Sequence, residues 1–146
     1  MTERLPFFVY GTLRPGGRNH AFLYGRVLTC VPARLPDAVL YDGPGYPYAV
    51  RAPGAGPVHG DLVTARPETY RRLLADLDHL EEYVPGDPRS LYLRVARDVV
   101  REDGTTTPAW VYVAAPPLAA RLRATATPLR SGAWLTPAPP GAPRTP

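Results

Sequence analysis

Glu81 is the residue of this 146-residue chain whose position most suggests chemistry. Residues 67–82 hold no glycine or proline after Pro67, and their apolar side chains recur at helical spacing. With Leu73 set at 0° and about 100° per residue, Leu77 falls at about 40°, Tyr70 at about 60° and Leu74 at about 100°, one stripe that must face a core. Glu81 falls at about 80°, inside that stripe, while Asp76, Asp78 and Glu82 fall outside it. A carboxylate carried into an apolar interior without a cation has its pKa raised, which brings it toward proton exchange near neutrality, the property a general acid/base needs. The same position also allows a structural outcome, in which the helix end frays into water or Glu81 pairs with an arginine such as Arg94.

A second candidate is the run Tyr10-Gly11-Thr12-Leu13-Arg14-Pro15-Gly16-Gly17. It follows an apolar aromatic stretch, and a glycine turn after a buried strand leaves backbone N–H groups free to converge on an anion. It is not a Walker phosphate loop, because the chain contains no lysine to complete one, and it lacks the GxGxxG pattern. A tight connection with no ligand is the alternative. Tyr92 and Arg94 share one face of a strand-like segment and could orient a ligand or pair with Glu81; a core tyrosine and a surface arginine fit equally. Tyr46, Tyr48 and Tyr112 are candidate pocket walls or half-buried strand positions.

The surroundings must hold these residues in place. With 45% hydrophobic and 21% charged residues, the chain has material for one ordinary core. A single cysteine, Cys30, excludes an internal disulfide, and His20, His59 and His79 lack the spacing of metal ligands, so neither a metal nor a cofactor is expected. No basic leader followed by an apolar stretch and no membrane-length apolar run is present, which gives the expectation of a soluble, cytoplasmic protein with no membrane partner. All 17 basic side chains are arginine and the net charge is +4, but they are scattered from Arg4 to Arg144 without a basic run, so no nucleic-acid partner is expected.

Strands are predicted at 5–10, 27–31, 38–41, 58–63, 91–100 and 108–113, the last two joined by a Glu102-Asp103-Gly104 hairpin. Gly60 within 58–63 predicts a bulge or a close backbone approach. The main helix spans 67–82, with Pro67 in its first turn. A short helix at 117–126 is the other candidate, with Pro116-Pro117 and two threonines weighing against it. Five prolines in residues 137–146 predict a disordered tail after a domain of residues 1–136.

Taken in order, FFVYGTLRPGG (7–17), GYPYAV (45–50), VHGDLV (58–63), LLADLDHLEEYVPGD (73–87), LYLRV (91–95), AWVYV (109–113) and SGAW (131–134) resemble the γ-glutamylcyclotransferase-like family, which includes AIG2-like proteins and γ-glutamylamine cyclotransferases. The resemblance implies that Tyr10, Gly11, Thr12 and Leu13 bind substrate and that Glu81 is the catalytic acid/base; Tyr92 and Arg94 stand beside them as the substrate-binding candidates read from the strand after the helix. It implies an α+β fold: a small, curved, mostly antiparallel barrel-like sheet with one main helix beside the pocket.

The implied reaction is intramolecular. The α-amine of a γ-glutamyl group attacks its own γ-carbonyl, closing 5-oxoproline and expelling an amine, with no metal or cofactor and a small-molecule substrate as the one expected partner. The substrate brings its own nucleophile at high effective concentration. Two positions depart from the family pattern: Glu82 stands where glycine is common, and Ala133 where SGDW would have an acid. They keep open a non-catalytic small-molecule binding module on the same fold. The residues fix neither the expelled amine nor the oligomeric state.

Overall fold

A computed structural model describes residues 4–43 and 46–134. Strands β1 (Phe7–Val9), β5 (Val58–Ala65), β2 (Val27–Leu35), β6 (Tyr92–Arg101) and β7 (Thr106–Ala114) follow one another around a closed barrel, and β3 (Ala38–Tyr41) pairs with β4 (Tyr48–Arg51) in a separate two-stranded sheet. The barrel pairings are antiparallel except at the closure, where β1 meets β7 in parallel through Phe7 and Trp110. Helices α1 (Tyr70–Leu80) and α2 (Pro116–Thr125) complete the α+β architecture.

The period-two alternation of a strand divides the core into two clusters. Phe8 and Tyr10 join Ala33, Leu35, Val58, Leu62, Val99, Ala109 and Val111, drawn from the barrel strands and the residue following β1. Phe7 and Val9 face the other way, into a cluster with Val63, Tyr70, Leu73, Leu77 and Leu118 that cements the helices to the barrel wall. Leu73 and Leu77 are completely buried, each worth about 1.5 to 3 kcal/mol relative to exposure. The apolar stripe read from periodicity is therefore the face that docks α1.

Gly60 makes a close approach: a Cβ there would lie 2.3 Å from the Val9 carbonyl oxygen. The register irregularity lies instead between Val27 and Thr29 on β2. That strand runs on to Leu35, past the predicted end at residue 31, because β2 is paired on both sides only near Ala33 and Arg34. A proline at position 32 can then sit where a second ladder bond is not required of it. β4 lies in a motif to which no strand was assigned.

The helix expected at 67–82 is divided. Pro67–Thr69 form a 3₁₀ turn, Tyr70–Leu80 the α-helix, and Glu81 its C-cap. The short helix at the end is present, with Pro116 and Pro117 in its first turn, where the missing N–H groups have no intrahelical role. The predicted tail, 137–146, lies outside the described residues, as do Gly45 of the GYPYAV motif and the last two residues of the predicted domain. Among the described residues, no helix is long and apolar enough to cross a membrane.

Candidate active site

The end of β1, the loop after it, the C-terminus of α1 and tyrosines from β6 and β7 enclose a cavity of about 280 Å³. Tyr10, Gly11, Thr12, Leu13, Glu81 and Tyr92 all line it, so six of the seven site residues singled out in the sequence meet at one place.

The loop is folded by its own backbone. Arg14 N–H donates to Gly11 O (3.1 Å), Gly17 N–H to Arg14 O (2.7 Å) and Asn19 N–H to Thr12 O (2.9 Å). Asn19 Nδ2 also donates to Thr12 Oγ1 at 2.9 Å. A Cβ at position 17 would sit 2.3 Å from the Thr12 oxygen, so only glycine allows the chain to double back there. The Arg14 guanidinium is tied to the buried Asp61 carboxylate of β5 (Nε to Oδ2, 2.7 Å), which anchors the loop to the barrel. The amides of Gly11, Thr12 and Leu13 have no acceptor among the described residues, although all three residues line the cavity. Unpaired backbone donors at a cavity wall are a ready receptor for a negative oxygen.

Across from the loop residues in sequence, Glu81 is held by the way α1 ends. Its N–H still donates to Leu77 O (2.9 Å), Glu82 N–H donates to His79 O (3.1 Å) and Tyr83 N–H to Asp78 O (2.8 Å). The last two bonds are those of a Schellman motif, in which the residue after the C-cap adopts the left-handed conformation. Glu82 does so, with φ of 54°. The Glu81 side chain is partly exposed, into the cavity it lines, and otherwise surrounded by protein. Burial alone pushes its pKa up from 4.5 to about 7. Glu82, exposed to solvent at the mouth, adds nothing to that rise.

Glu81 makes no ion pair among the described residues, and Arg94 is not its partner. Arg94 Nε donates to Asp78 Oδ1 at 2.9 Å, with the guanidinium 4.3 Å from the centre of the Trp110 ring. It does not line the cavity. Asp78 also accepts the Tyr112 hydroxyl at 2.6 Å, and Tyr112 does line the cavity, so Arg94 acts on the pocket through two intermediaries. Arg94, expected either to orient a ligand or to pair with Glu81, is instead bonded to Asp78 and stands outside the cavity lining.

The tyrosines are structural donors. Tyr10 donates its hydroxyl to the Tyr112 carbonyl oxygen, and Tyr92 to that of Pro47 at 2.8 Å. Burial, reinforced by the Glu81 charge, drives the pKa of both far upward, so they remain protonated. Tyr46 lines the cavity, while Tyr48 stands behind it against Tyr46 and Tyr92.

The residues 7–136 match the family model described as gamma-glutamyl cyclotransferase, AIG2-like. The chain belongs to this family. Among similar proteins of the cyclotransferase family, a Niallia circulans protein named gamma-L-glutamyl-butirosin B gamma-glutamyl cyclotransferase is 36% identical over 73% of this chain and 64% of its own length. A Vibrio cholerae putative gamma-glutamylcyclotransferase is 37% identical over 73% of this chain and 78% of its own. The fold is shared with YkqA from Bacillus subtilis, at a TM-score of 0.62 and 23% identity over 89% of this chain and 39% of that one.

In this cyclotransferase-family chain the two departures differ in consequence. Ala133 lies in a segment built into the barrel: Gly132 O accepts from His59 N–H (2.8 Å), and the buried Trp134 donates Nε1 to Asp42 Oδ1 (3.1 Å). That segment takes no part in the cavity. Glu82 lines it. Its left-handed backbone costs a residue with a Cβ about 1 kcal/mol, and a carboxylate at a helix C-terminus opposes the macrodipole by about 0.3 to 1 kcal/mol.

Sequence reasoning missed Arg18, Asn19 and Leu91, which also line the cavity. Asn19 had a readable signal, an amide side chain two residues after the glycine turn at 16–17. Arg18, one arginine among 17, had none.

Proposed function

We propose that the protein is a γ-glutamyl cyclotransferase that cleaves a γ-glutamyl amine or amino acid, releasing 5-oxoproline and the free amine, with Glu81 as general acid/base. The observation carrying this reading is a carboxylate of pKa about 7, without a cationic partner among the described residues, in the same cavity as the unpaired amides of Gly11, Thr12 and Leu13.

The chemistry follows from those groups. An α-amino group has a pKa of about 7.7 to 8.0, so a useful fraction is neutral at slightly alkaline pH. As its nitrogen bonds to the γ-carbonyl carbon, one of its protons passes to the Glu81 carboxylate. The tetrahedral oxyanion is held by backbone N–H donors, each typically worth about 10² to 10³ in rate. Glu81 then returns the proton to the other nitrogen as the original amide C–N bond breaks, so the amine departs neutral. The cavity's amides and Arg18 supply the positive field needed by the α-carboxylate and the oxyanion. Tyr10 and Tyr92, protonated and tied to backbone oxygens, keep the walls rigid.

Incubation with γ-glutamyl amides and assay of 5-oxoproline tests the proposal. Glu81→Gln, isosteric and unable to exchange a proton, is expected to lower kcat by about 10² to 10⁴. Binding without product from the wild-type chain would instead support the non-catalytic module.

A further inference from the structure

We infer that Glu82 selects the leaving group, and that the preferred substrate is a γ-glutamyl amide of an aliphatic diamine or polyamine, whose second nitrogen is a free ammonium. The inference rests on the cyclotransferase reading and deepens it.

The first argument is that Glu82 is present against local preference. The residue following the C-cap of a Schellman motif takes a left-handed backbone that favours glycine, and here φ is 54°. Its carboxylate also stands at the negative end of α1, next to the acid/base. Neither stability nor the chemistry at Glu81 calls for a second acid, because burial alone accounts for the shifted Glu81 carboxyl. Strain at a cavity wall is a pointer to function.

The second argument is complementarity. Of the charged side chains lining the cavity, the loop contributes the cation, Arg18, together with the unpaired amides, while the helix end contributes the acids, Glu81 and Glu82. A γ-glutamyl diamine carries its α-carboxylate at one end and an ammonium at the other. Between them runs a methylene chain, and the cavity supplies apolar surface for it in Leu80 and in Leu91, which is 43% exposed. A leaving group ending in a carboxylate would bring a like charge to Glu82.

The test compares γ-glutamylputrescine, γ-glutamyl-n-pentylamide and γ-glutamyl-γ-aminobutyrate, amides of similar length with cationic, neutral and anionic far ends. The expected order of kcat/KM is cationic, neutral, anionic, with about a fivefold step from neutral to cationic at low ionic strength, the size of an exposed ion pair. That ratio is expected to collapse toward one in both Glu82→Gln and Glu82→Gly, and to shrink with added salt in the wild type. Glu82→Gly relieves the backbone, so a lost preference there does not come from a damaged fold. A ratio that survives both substitutions, or an order led by the anionic amide, overturns the inference.

Calorimetric binding of the cationic and neutral amides to Glu81→Gln, with and without Glu82→Gln, gives a second readout that needs no turnover. Loss of the cation's advantage on adding Glu82→Gln supports the inference, and equal affinities in Glu81→Gln overturn it. Failure of the wild-type chain to release 5-oxoproline from any of the three amides would defeat the cyclotransferase proposal, while the binding ratio would still decide the role of Glu82.

Discussion

Asp78 and Glu81 lie within one turn of each other at the end of α1, yet their surroundings are opposite. Asp78 accepts from both the Arg94 guanidinium and the Tyr112 hydroxyl. Glu81 faces the cavity, is otherwise surrounded by protein, and has its pKa raised to about 7 by that burial. The contrast shows how one helix end can hold one carboxylate as a structural anchor and leave another poised for proton exchange. The partnered acid fastens α1 to the barrel wall through Arg94 and Tyr112, whereas the partnerless one is held between two protonation states near neutrality. Asp61, buried and bonded to Arg14, repeats the first solution under the loop.

The comparison is broken most severely from the Asp78 side. Asp78→Ala would leave the Arg94 cation without its carboxylate, in a place where the two side chains are only 15% and 17% exposed. Removal of one partner from a buried pair costs about 3 to 5 kcal/mol. With partial solvent screening, a loss of about 2 to 4 kcal/mol in denaturant unfolding is expected. A loss below about 0.5 kcal/mol would mean that Asp78 is no more tightly held than a surface acid.

The Glu81 side sharpens the same contrast with the opposite sign. Its folded pKa of about 7 lies above the ordinary 4.5, so the folded state holds the proton more tightly than the unfolded chain does. Stability therefore falls as pH rises from about 4.5 to about 7 and levels off above, while below 4.5 the group makes no difference. Glu81→Gln is expected to stabilise the protein by about 1 to 3 kcal/mol at pH 8, discounted for the part of the side chain that faces the cavity, and by almost nothing at pH 4. Equal effects at the two pH values would contradict it.

The Glu81 half of this contrast was legible in the sequence and the Asp78 half was not. Helical periodicity placed Glu81 inward because its angle depends only on α1 itself. The partner of Asp78 depends on where β6 passes the helix, a tertiary relation that no local pattern encodes, so Asp78 reads only as lying off the apolar stripe and Arg94 as equally suited to a ligand, to Glu81 or to the surface. The loop was legible through its glycines, which report backbone need directly. Its anchor was not, because the Arg14–Asp61 pair joins residues far apart in sequence through the β1–β5 pairing. The strands other than β4 are readable by composition, with β2 cut short at Pro32, since a proline is readable as a strand breaker but the unpaired side it occupies appears only in the closed sheet.

The central claim is that Glu81 is an acid of pKa near neutrality because it is buried without a partner. Carbon-13 NMR titration of the Glu81 side-chain carboxyl, assigned by its loss in Glu81→Gln, measures this directly. A midpoint of about 7 is expected; a midpoint at the ordinary value of about 4.5 would contradict the account.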